Sequence, residues 1–348
     1  MNWQDLLIDE DISITKALEK LDITQKKILF VSKGQRLLAT LTDGDIRRSI
    51  LKTGKIEGFV KDVANYEPKF LKEDELYKTK EFFNEYKITA IPIVNNSFLI
   101  VNVIFNDDTF LVNSSENFDV PVIINAGGKG TRLYPLTKVL PKPLIPIGNL
   151  PISEMIINRF VSCGCKNIFM IVNEKKSMIK AYYNDVKKRY NLTFLDEDIP
   201  LGTGGGLSLL KGKINGTSIF INCDTIIDDD YFKILKSHKE SKNLITVICA
   251  TRSFSIPFGV VNVSENGTIA SMSEKPAYSF LVNTGCYVIE QKVIDELNDN
   301  EKIDFPDIIK KYLAKEKIGV YPIGYTSWLD MGQFNELERM KEILKIEN

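Results

Sequence analysis

The sequence predicts an α/β protein in two parts: a small α/β front portion over residues 1–115 and a doubly wound α/β portion over residues 118–348. Three observations carry that prediction. A strand-turn-strand pattern occurs twice in the front portion, 63 residues apart (91 minus 28). After residue 120, short apolar runs alternate with helical patterns over about 220 residues. Between the two portions lies Asn113-Ser114-Ser115-Glu116-Asn117, short and polar, as a linker is.

In the first copy of the repeat, a helical stretch at Ile14–Leu21 precedes Ile28-Leu29-Phe30-Val31, the turn Ser32-Lys33-Gly34, a strand at Leu37–Leu41, and Thr42-Asp43-Gly44-Asp45. In the second, Leu76–Tyr86 precedes Ile91-Pro92-Ile93-Val94, the turn Asn95-Asn96-Ser97, a strand at Ile100–Ile104, and Phe105-Asn106-Asp107-Asp108. Beyond the linker, Val120–Asn125, Ile168–Val172, Ser218–Asn222 and Leu244–Ala250 are apolar without polar alternation, which is how buried parallel strands read. Helical patterns at Ser153–Val161, Ser177–Tyr190 and Tyr231–His238 separate them. In such sheets ligands gather beyond the carboxyl ends of the strands, so the residues just after each strand are where chemistry is sought.

Composition narrows the partners. The chain has 348 residues, 44% hydrophobic and 26% charged, with a net charge of −1, which gives no electrostatic case for a nucleic-acid or membrane partner. Met-Asn-Trp-Gln-Asp lacks the basic-then-apolar order of a secretory signal, and no apolar run approaches the roughly 20 residues of a membrane helix. Five cysteines, an odd count with no zinc-site spacing, read as reduced thiols in a cytoplasmic protein. The single histidine, His238, leaves no material for a His-based triad; it reads as a solvated or capping residue late in a helix. Asp228-Asp229-Asp230 reads as the capped start of that helix, and Trp3 and Trp328 as packing residues.

The first apolar strand runs into Asn125-Ala126-Gly127-Gly128-Lys129-Gly130-Thr131-Arg132-Leu133. Three glycines here let the backbone turn tightly and bring bare N–H groups against an anion, with the positive end of a following helix adding to them. Lys129 and Arg132 can neutralise phosphate oxygens, and Pro141-Lys142-Pro143 sets another lysine in a proline-stiffened loop. The loop is not a Walker sequence, and it lacks the third glycine of the dinucleotide fingerprint. Asp224 follows an apolar strand directly, and Asp330 lies in a second short segment of similar placement, so two carboxylates are available for one Mg²⁺.

Gly127-Gly128-Lys129-Gly130-Thr131-Arg132-Leu133-Tyr134-Pro135-Leu136-Thr137, followed by Pro141-Lys142-Pro143-Leu144-Ile145-Pro146-Ile147-Gly148, resembles the signature of the sugar-1-phosphate nucleotidyltransferases, the NDP-sugar pyrophosphorylases. Further motifs follow in that family's order: Leu201-Gly202-Thr203-Gly204-Gly205, Asn222-Cys223-Asp224, Phe258-Gly259-Val260-Val261, Glu274-Lys275-Pro276, Asn283-Thr284-Gly285 and Trp328-Leu329-Asp330-Met331-Gly332. The resemblance spans roughly residues 120 to 340. It implies a Rossmann-like, GT-A-like doubly wound domain and Mg²⁺-dependent transfer of a nucleotidyl group from an NTP to a sugar 1-phosphate. By resemblance, Asp224 and Asp330 are the metal pair, and Arg132 and Lys142 contact the triphosphate and α-phosphate. Ala126, Gly127, Gly128, Gly130 and Thr131, with Gly202, Thr203 and Gly204, line the nucleotide. Gly204 stands where the family usually has alanine, which leaves base choice open. Lys275 grips the sugar phosphate, and Gly259, Glu274 and Asn283 meet the sugar; Glu274 and Asn283 can equally satisfy loop backbone. The absence of a general base fits this chemistry, because a phosphate monoester with a second pKa of about 6 attacks already ionised.

Residues 1–115 resemble a pair of CBS (cystathionine β-synthase) domains. The matching residues are Leu41 to Arg48 and Ala90 to Val94. In that family a Thr-x-x-Asp holds an adenosine ribose, and Thr42 and Asp45 match it. The second copy keeps Asp108 but has Phe105 where the threonine belongs, so at most one standard regulatory nucleotide site is intact. The alternative is an assembly scaffold whose aspartates cap a helix; CBS pairs self-associate, so a homo-oligomer is expected. A CBS pair fused to this catalytic domain is similar to guanylyltransferases of legionaminic-acid synthesis, which implies GTP and glucosamine 1-phosphate; thymidylyl or uridylyl transfer to another hexose 1-phosphate stays open. A glycosyltransferase would want an Asp-x-Asp motif, and Asp224-Thr225-Ile226 lacks the second aspartate. A non-catalytic sugar-nucleotide sensor is the remaining rival.

Overall fold

The structure is a computed structural model that describes residues 2–106, 118, 120–265, 267–332 and 340. Asp108, the expected linker at 113–117 and most of the chain beyond Gly332 lie outside those residues. Two compact units emerge: one takes in residues 1–111, 250–282 and 322–326, the other 112–249, 283–321 and 327–348.

The main sheet has seven strands. Its spatial order is Asn191–Asp196, Asn167–Val172, Val122–Ala126, Thr217–Asn222, Ala277–Glu290, Ile245–Ser255 and Ile318–Gly324. Val122–Ala126 lies inside the sheet, parallel to a neighbour on each side, with Val122 opposite both Ile168 and Ile219. Val122, Ile123 and Ile124 are fully buried, as an apolar strand covered on both faces should be. Strand order reverses here: the chain first builds outward from Val122–Ala126 through Asn167–Val172 to Asn191–Asp196, then returns to the other side with Thr217–Asn222. The crevice beyond Ala126 and Asn222 is therefore the topological switch point, where such sheets bind ligands.

The sheet is not wholly parallel. Ala277–Glu290 joins antiparallel to Thr217–Asn222, with Thr217 opposite Glu290. Its first half alternates in burial while its second half, Thr284 to Ile289, is continuously buried, so no single period marks the whole strand. The helix expected at 177–190 spans Lys176–Asp185; it buries Ile179 and Tyr183, and the next position in that stripe is the charged Lys187. Asp230 caps Tyr231–Ser241, accepting from the N–H groups of Phe232 (3.0 Å) and Lys233 (3.2 Å). On that helix His238 is buried at 1% exposure, against the expectation of a solvated residue. It continues the apolar face of Tyr231, Ile234 and Leu235, and its two ring nitrogens meet Thr246 Oγ1 (2.7 Å) and Glu290 Oε1 (2.9 Å).

The unit that contains residues 1–111 holds two three-stranded sheets of the same design. Leu7–Ile8 runs parallel to Ile28–Lys33, which pairs antiparallel with Arg36–Thr42; Leu71–Lys72, Ala90–Val94 and Ile100–Phe105 repeat that order and sense. Each antiparallel pair slips register by one residue, at Val31/Ser32 and at Ile93/Val94. The sheets meet at their turns, where Leu37 N–H donates to Phe98 O (3.0 Å) and Ile100 N–H to Gln35 O (2.9 Å). One core, from Leu6 to Val103, spans both copies and also receives Leu281.

Candidate active site

Two short strands close the floor of the switch point. Thr225–Ile227 pairs antiparallel with Trp328–Asp330, setting Asp330 opposite Thr225, and Met331 N–H donates to the Asp224 carbonyl at 2.8 Å. Asp224 and Asp330, 106 residues apart in sequence (330 minus 224), are thereby neighbours. Lys142 Nζ pairs with Asp224 Oδ2, both side chains being about nine-tenths buried at 12% and 10% exposure. Burial lowers the affinity of Lys142 for its proton, but Asp224, Cys223 and Asp330 outweigh that and hold its pKa above the usual value. Asp330 is pushed up to about 6, first by burial and then by the charge of Asp224; the Gly332 N–H, Lys142 and Arg132 oppose the rise. Arg132 is itself exposed.

The donor set suits Mg²⁺. Two carboxylates feel each other's charge with one lysine paired to the first, and Mg²⁺ takes one or two carboxylates and fills its remaining positions with phosphate oxygens and water. Among the described residues no group of three or more His, Cys, Asp or Glu side chains could hold a metal ion.

The glycine loop after Ala126 opens toward the same crevice. Gly130 adopts φ +63°, and a Cβ there would stand 2.9 Å from Thr137 Cγ2; the Thr137 hydroxyl donates to the Gly130 carbonyl at 2.8 Å. Gly128 has open space where a side chain would be. The helix expected behind this loop is absent: Thr131–Leu133 is a single 3₁₀ turn and Leu136–Val139 one α turn, too short for a useful dipole. Lys175 instead ties the segment down, donating to the carbonyls of Thr137 (2.6 Å) and Lys138 (3.1 Å).

The second loop is held from a distance. Thr203 N–H donates to Asp304 Oδ1 (2.8 Å), Thr203 Oγ1 accepts from the Phe305 N–H (2.9 Å), and Gly204 and Gly205 N–H groups both donate to Ile303 O (2.9 and 3.1 Å). Those three amides are thus engaged within the protein, including those of Thr203 and Gly204, which the resemblance places against the nucleotide. Gly204 fits because a Cβ there would sit 2.5 Å from Ile308 Cδ1, so the glycine allows close packing. The two loops touch through Asn125 Nδ2, which donates to Thr203 O at 3.3 Å.

Sequence reasoning missed Glu197. It is 4% exposed and lies between the loops: a Cβ on Gly127 would stand 2.7 Å from its Oε2, and one on Gly206 would collide with its Oε1. Burial pushes its pKa up to about 7, against a lowering bond from the Leu201 backbone. The one available signal was its place just after the strand Asn191–Asp196.

Gly259, Glu274 and Lys275 belong to the unit that contains residues 1–111. A Cβ on Gly259 would lie 3.0 Å from Glu274 Oε2, so these two are together, and Lys275 holds a left-handed φ of 46°. Asn283 belongs to the larger unit and is engaged locally, donating to Tyr287 Oη (2.8 Å) and accepting from Gly285 N–H (3.0 Å). Thr42 and Asp45 form a capping box on the helix Asp43–Thr53: Asp45 Oδ2 accepts from Thr42 N–H (2.8 Å) and Thr42 Oγ1 (2.6 Å), and Oδ1 pairs with Arg48.

A 232-residue stretch is 34% identical to the bifunctional protein GlmU of Methanococcus aeolicus, covering 64% of this chain and 54% of that protein. A 221-residue stretch is 29% identical to mannose-1-phosphate guanylyltransferase of Mycobacterium tuberculosis, covering 61% of each. The chain thus spans little more than half the length of these relatives. The crystal structure of HddC from Yersinia pseudotuberculosis complexed with GMP-PN shares the fold, with a TM-score of 0.51 and 22% identity over 65% of this chain and 99% of that one. Residues 121–346 match the nucleotidyl transferase family, and on that match the chain belongs to it.

Proposed function

We propose that the protein transfers a nucleotidyl group from an NTP, GTP in the first instance, to a sugar 1-phosphate, glucosamine 1-phosphate in the first instance. The products are pyrophosphate and an NDP-sugar for surface-glycan or nonulosonic (legionaminic) acid synthesis in the cytoplasm. The observation that carries this reading is the convergence of Asp224 and Asp330 beside Lys142 at the switch point. Asp224 and Asp330 are the residues that would hold Mg²⁺, which when bound supplies positive charge against phosphate oxygens. Lys142 and Arg132 counter charge at the α-phosphate and triphosphate, and the glycine loop at 127–130 lets backbone approach the phosphates. No side chain has to remove a proton, because the sugar phosphate attacks as the anion it already is. Catalysis is then alignment and charge compensation.

For residues 1–115 the reading is a CBS pair with a regulatory or assembly role and at most one nucleotide site, at Thr42 and Asp45. A ribose there would have to displace Thr42 and Arg48 from the Asp45 carboxylate. The test is pyrophosphate release from a matrix of GTP, UTP, dTTP, ATP and CTP against glucosamine, glucose and mannose 1-phosphates, with product masses. Release that needs both substrates supports the transferase. No release from any pairing sinks it in favour of a sensor.

A further inference from the structure

Between the strands Ile245–Ser255 and Ala277–Glu290 the chain makes a hairpin, all of it within the unit built from residues 1–111, 250–282 and 322–326. Val260–Val263 and Ile269–Ser273 pair antiparallel as a two-stranded ribbon that, among the described residues, joins no third strand. The ribbon is firmly closed at both ends: Ile256 N–H donates to Pro276 O (3.0 Å) at its base, and Ser264 N–H donates to Thr268 O (2.9 Å) at its turn. Val261 lies opposite Met272, and a one-residue slip at Asn262/Val263 brings Ile269, in place of Ala270, opposite Val263. Opposite residues share a face, so Val261, Val263, Ile269 and Met272 stand together on one side. Asn262 and Ser271 stand on the other, joined by a bond from Asn262 Nδ2 to Ser271 Oγ (2.9 Å).

The apolar side is bare. Those four residues and the neighbouring Phe258 are 43% to 73% exposed. An isolated two-stranded ribbon is marginal in water unless its apolar face packs on something. Charged side chains are the usual guard that keeps an exposed ribbon from other chains. Here Glu265 is the one charged residue from Ile256 to Ser273, in a chain of which 26% is charged. Depletion of charge is what marks the covered centre of an interface.

The area fits a second copy. With about 200 Å² for a phenylalanine side chain and about 100 Å² for an aliphatic one, the exposed parts of these five residues come to on the order of 400 Å². Phe254 and Phe280, half-exposed with rings 6.1 Å apart on the strands that enter and leave the hairpin, raise this to on the order of 600 Å². A stable dimer buries about 800 Å² on each chain, about 65% of it apolar in homodimers, so hairpin and stem supply the share required. Val, Ile and Met side chains carry no charge to select a partner of opposite sign, whereas a twofold axis needs only that the same patch meet itself. We infer that two copies of the chain meet here, the apolar face of one ribbon against that of the other. The inference stands independently of the reaction the protein performs and of any role for residues 1–115.

The test is sedimentation velocity of the full chain across the micromolar range, paired with hydroxyl-radical footprinting of Met272 at the same concentrations. The expected result is a two-chain species with a Kd in the micromolar range or tighter, and Met272 oxidised several-fold more slowly above that Kd than below it. Ile269→Glu and Met272→Glu should each raise the Kd at least about 100-fold, since the twofold axis brings two like charges together. Asn262→Asp, on the opposite face, should leave it unchanged, and thermal melts check that the variants fold. The footprint needs no substitution, so it decides the matter even if a variant does not fold. A two-chain species in which Met272 stays as reactive as in the single chain, or which both glutamate variants leave intact, places the contact elsewhere and overturns the inference. Single chains at every concentration overturn it too, and protection of Met272 by phosphatidylglycerol vesicles would then assign the face to a membrane surface.

Discussion

Lys142 and Asp224 pair in a largely buried setting with Asp330 alongside, so each charge there answers for the others. Asp224→Asn should lower kcat by about 100-fold or more, the scale of removing one preorganised charge at a reacting centre. It should also lower the melting temperature, because a buried ammonium left without its carboxylate costs about 1–3 kcal/mol. Steady-state kinetics and thermal melts read the two effects separately; wild-type turnover would remove Asp224 from the chemistry. Glu197 gives a pH-dependent prediction. Its carboxyl titrates near 4.3 in the unfolded chain and at about 7 in the fold. The folded state therefore binds the extra proton between those values, and stability falls as pH rises through that window, by on the order of 3 kcal/mol in full. Glu197→Gln removes the titration, so the variant should gain on wild type at pH 8 and not at pH 4. A pH-independent difference between the two melts would refute the assignment.

At the scale of elements, the parts of the site that the sequence announced are those whose signal is local. Asp224 stands directly after an apolar strand, and the glycines at 127–130 sit together, so both could be read from a window of ten residues. What anchors Thr203 could not, because its partners are Asp304 and Phe305, 101 and 102 residues away. Its hydroxyl serves as the external cap of the helix Phe305–Tyr312, whose own N-cap residue Asp304 makes no side-chain cap bond. Thr203→Val should cost about 0.5–2 kcal/mol, the range for losing a cap, and should raise the NTP KM by loosening the loop; equal stability in urea melts would show the cap to be idle. Ala277–Glu290 escaped notice for the opposite reason, since it changes from alternating to continuous burial midway and fits neither strand template. His238 was misread because its polarity outweighed its position, on the same face as Ile234 and Leu235.

The whole molecule does not divide where its sequence changes style. Residues 250–282 share a compact unit with residues 1–111, Leu281 packs on the front core, and Asp43 lies so close to Gly324 that a Cβ there would collide with its carboxylate. A chain beginning at Val120 should therefore melt at a lower temperature and self-associate, because it exposes the surface that the front core covers. Calorimetry and light scattering test this, and a truncated chain with wild-type melting temperature and monodispersity would make the front segment dispensable. Neither a period nor a motif could have disclosed this, since contacts between residues some 200 positions apart leave no local trace.

Lys142 already has an anion for company, and this bears on how the cleft fills. A lysine so placed trades partners instead of gaining one: whatever phosphate oxygen draws its ammonium away sets the Asp224 carboxylate free at that moment. On the proposed transferase reading, loading a triphosphate and baring the acid would be a single exchange, so without nucleotide the acidic pair would stay muted and its appetite for cations low.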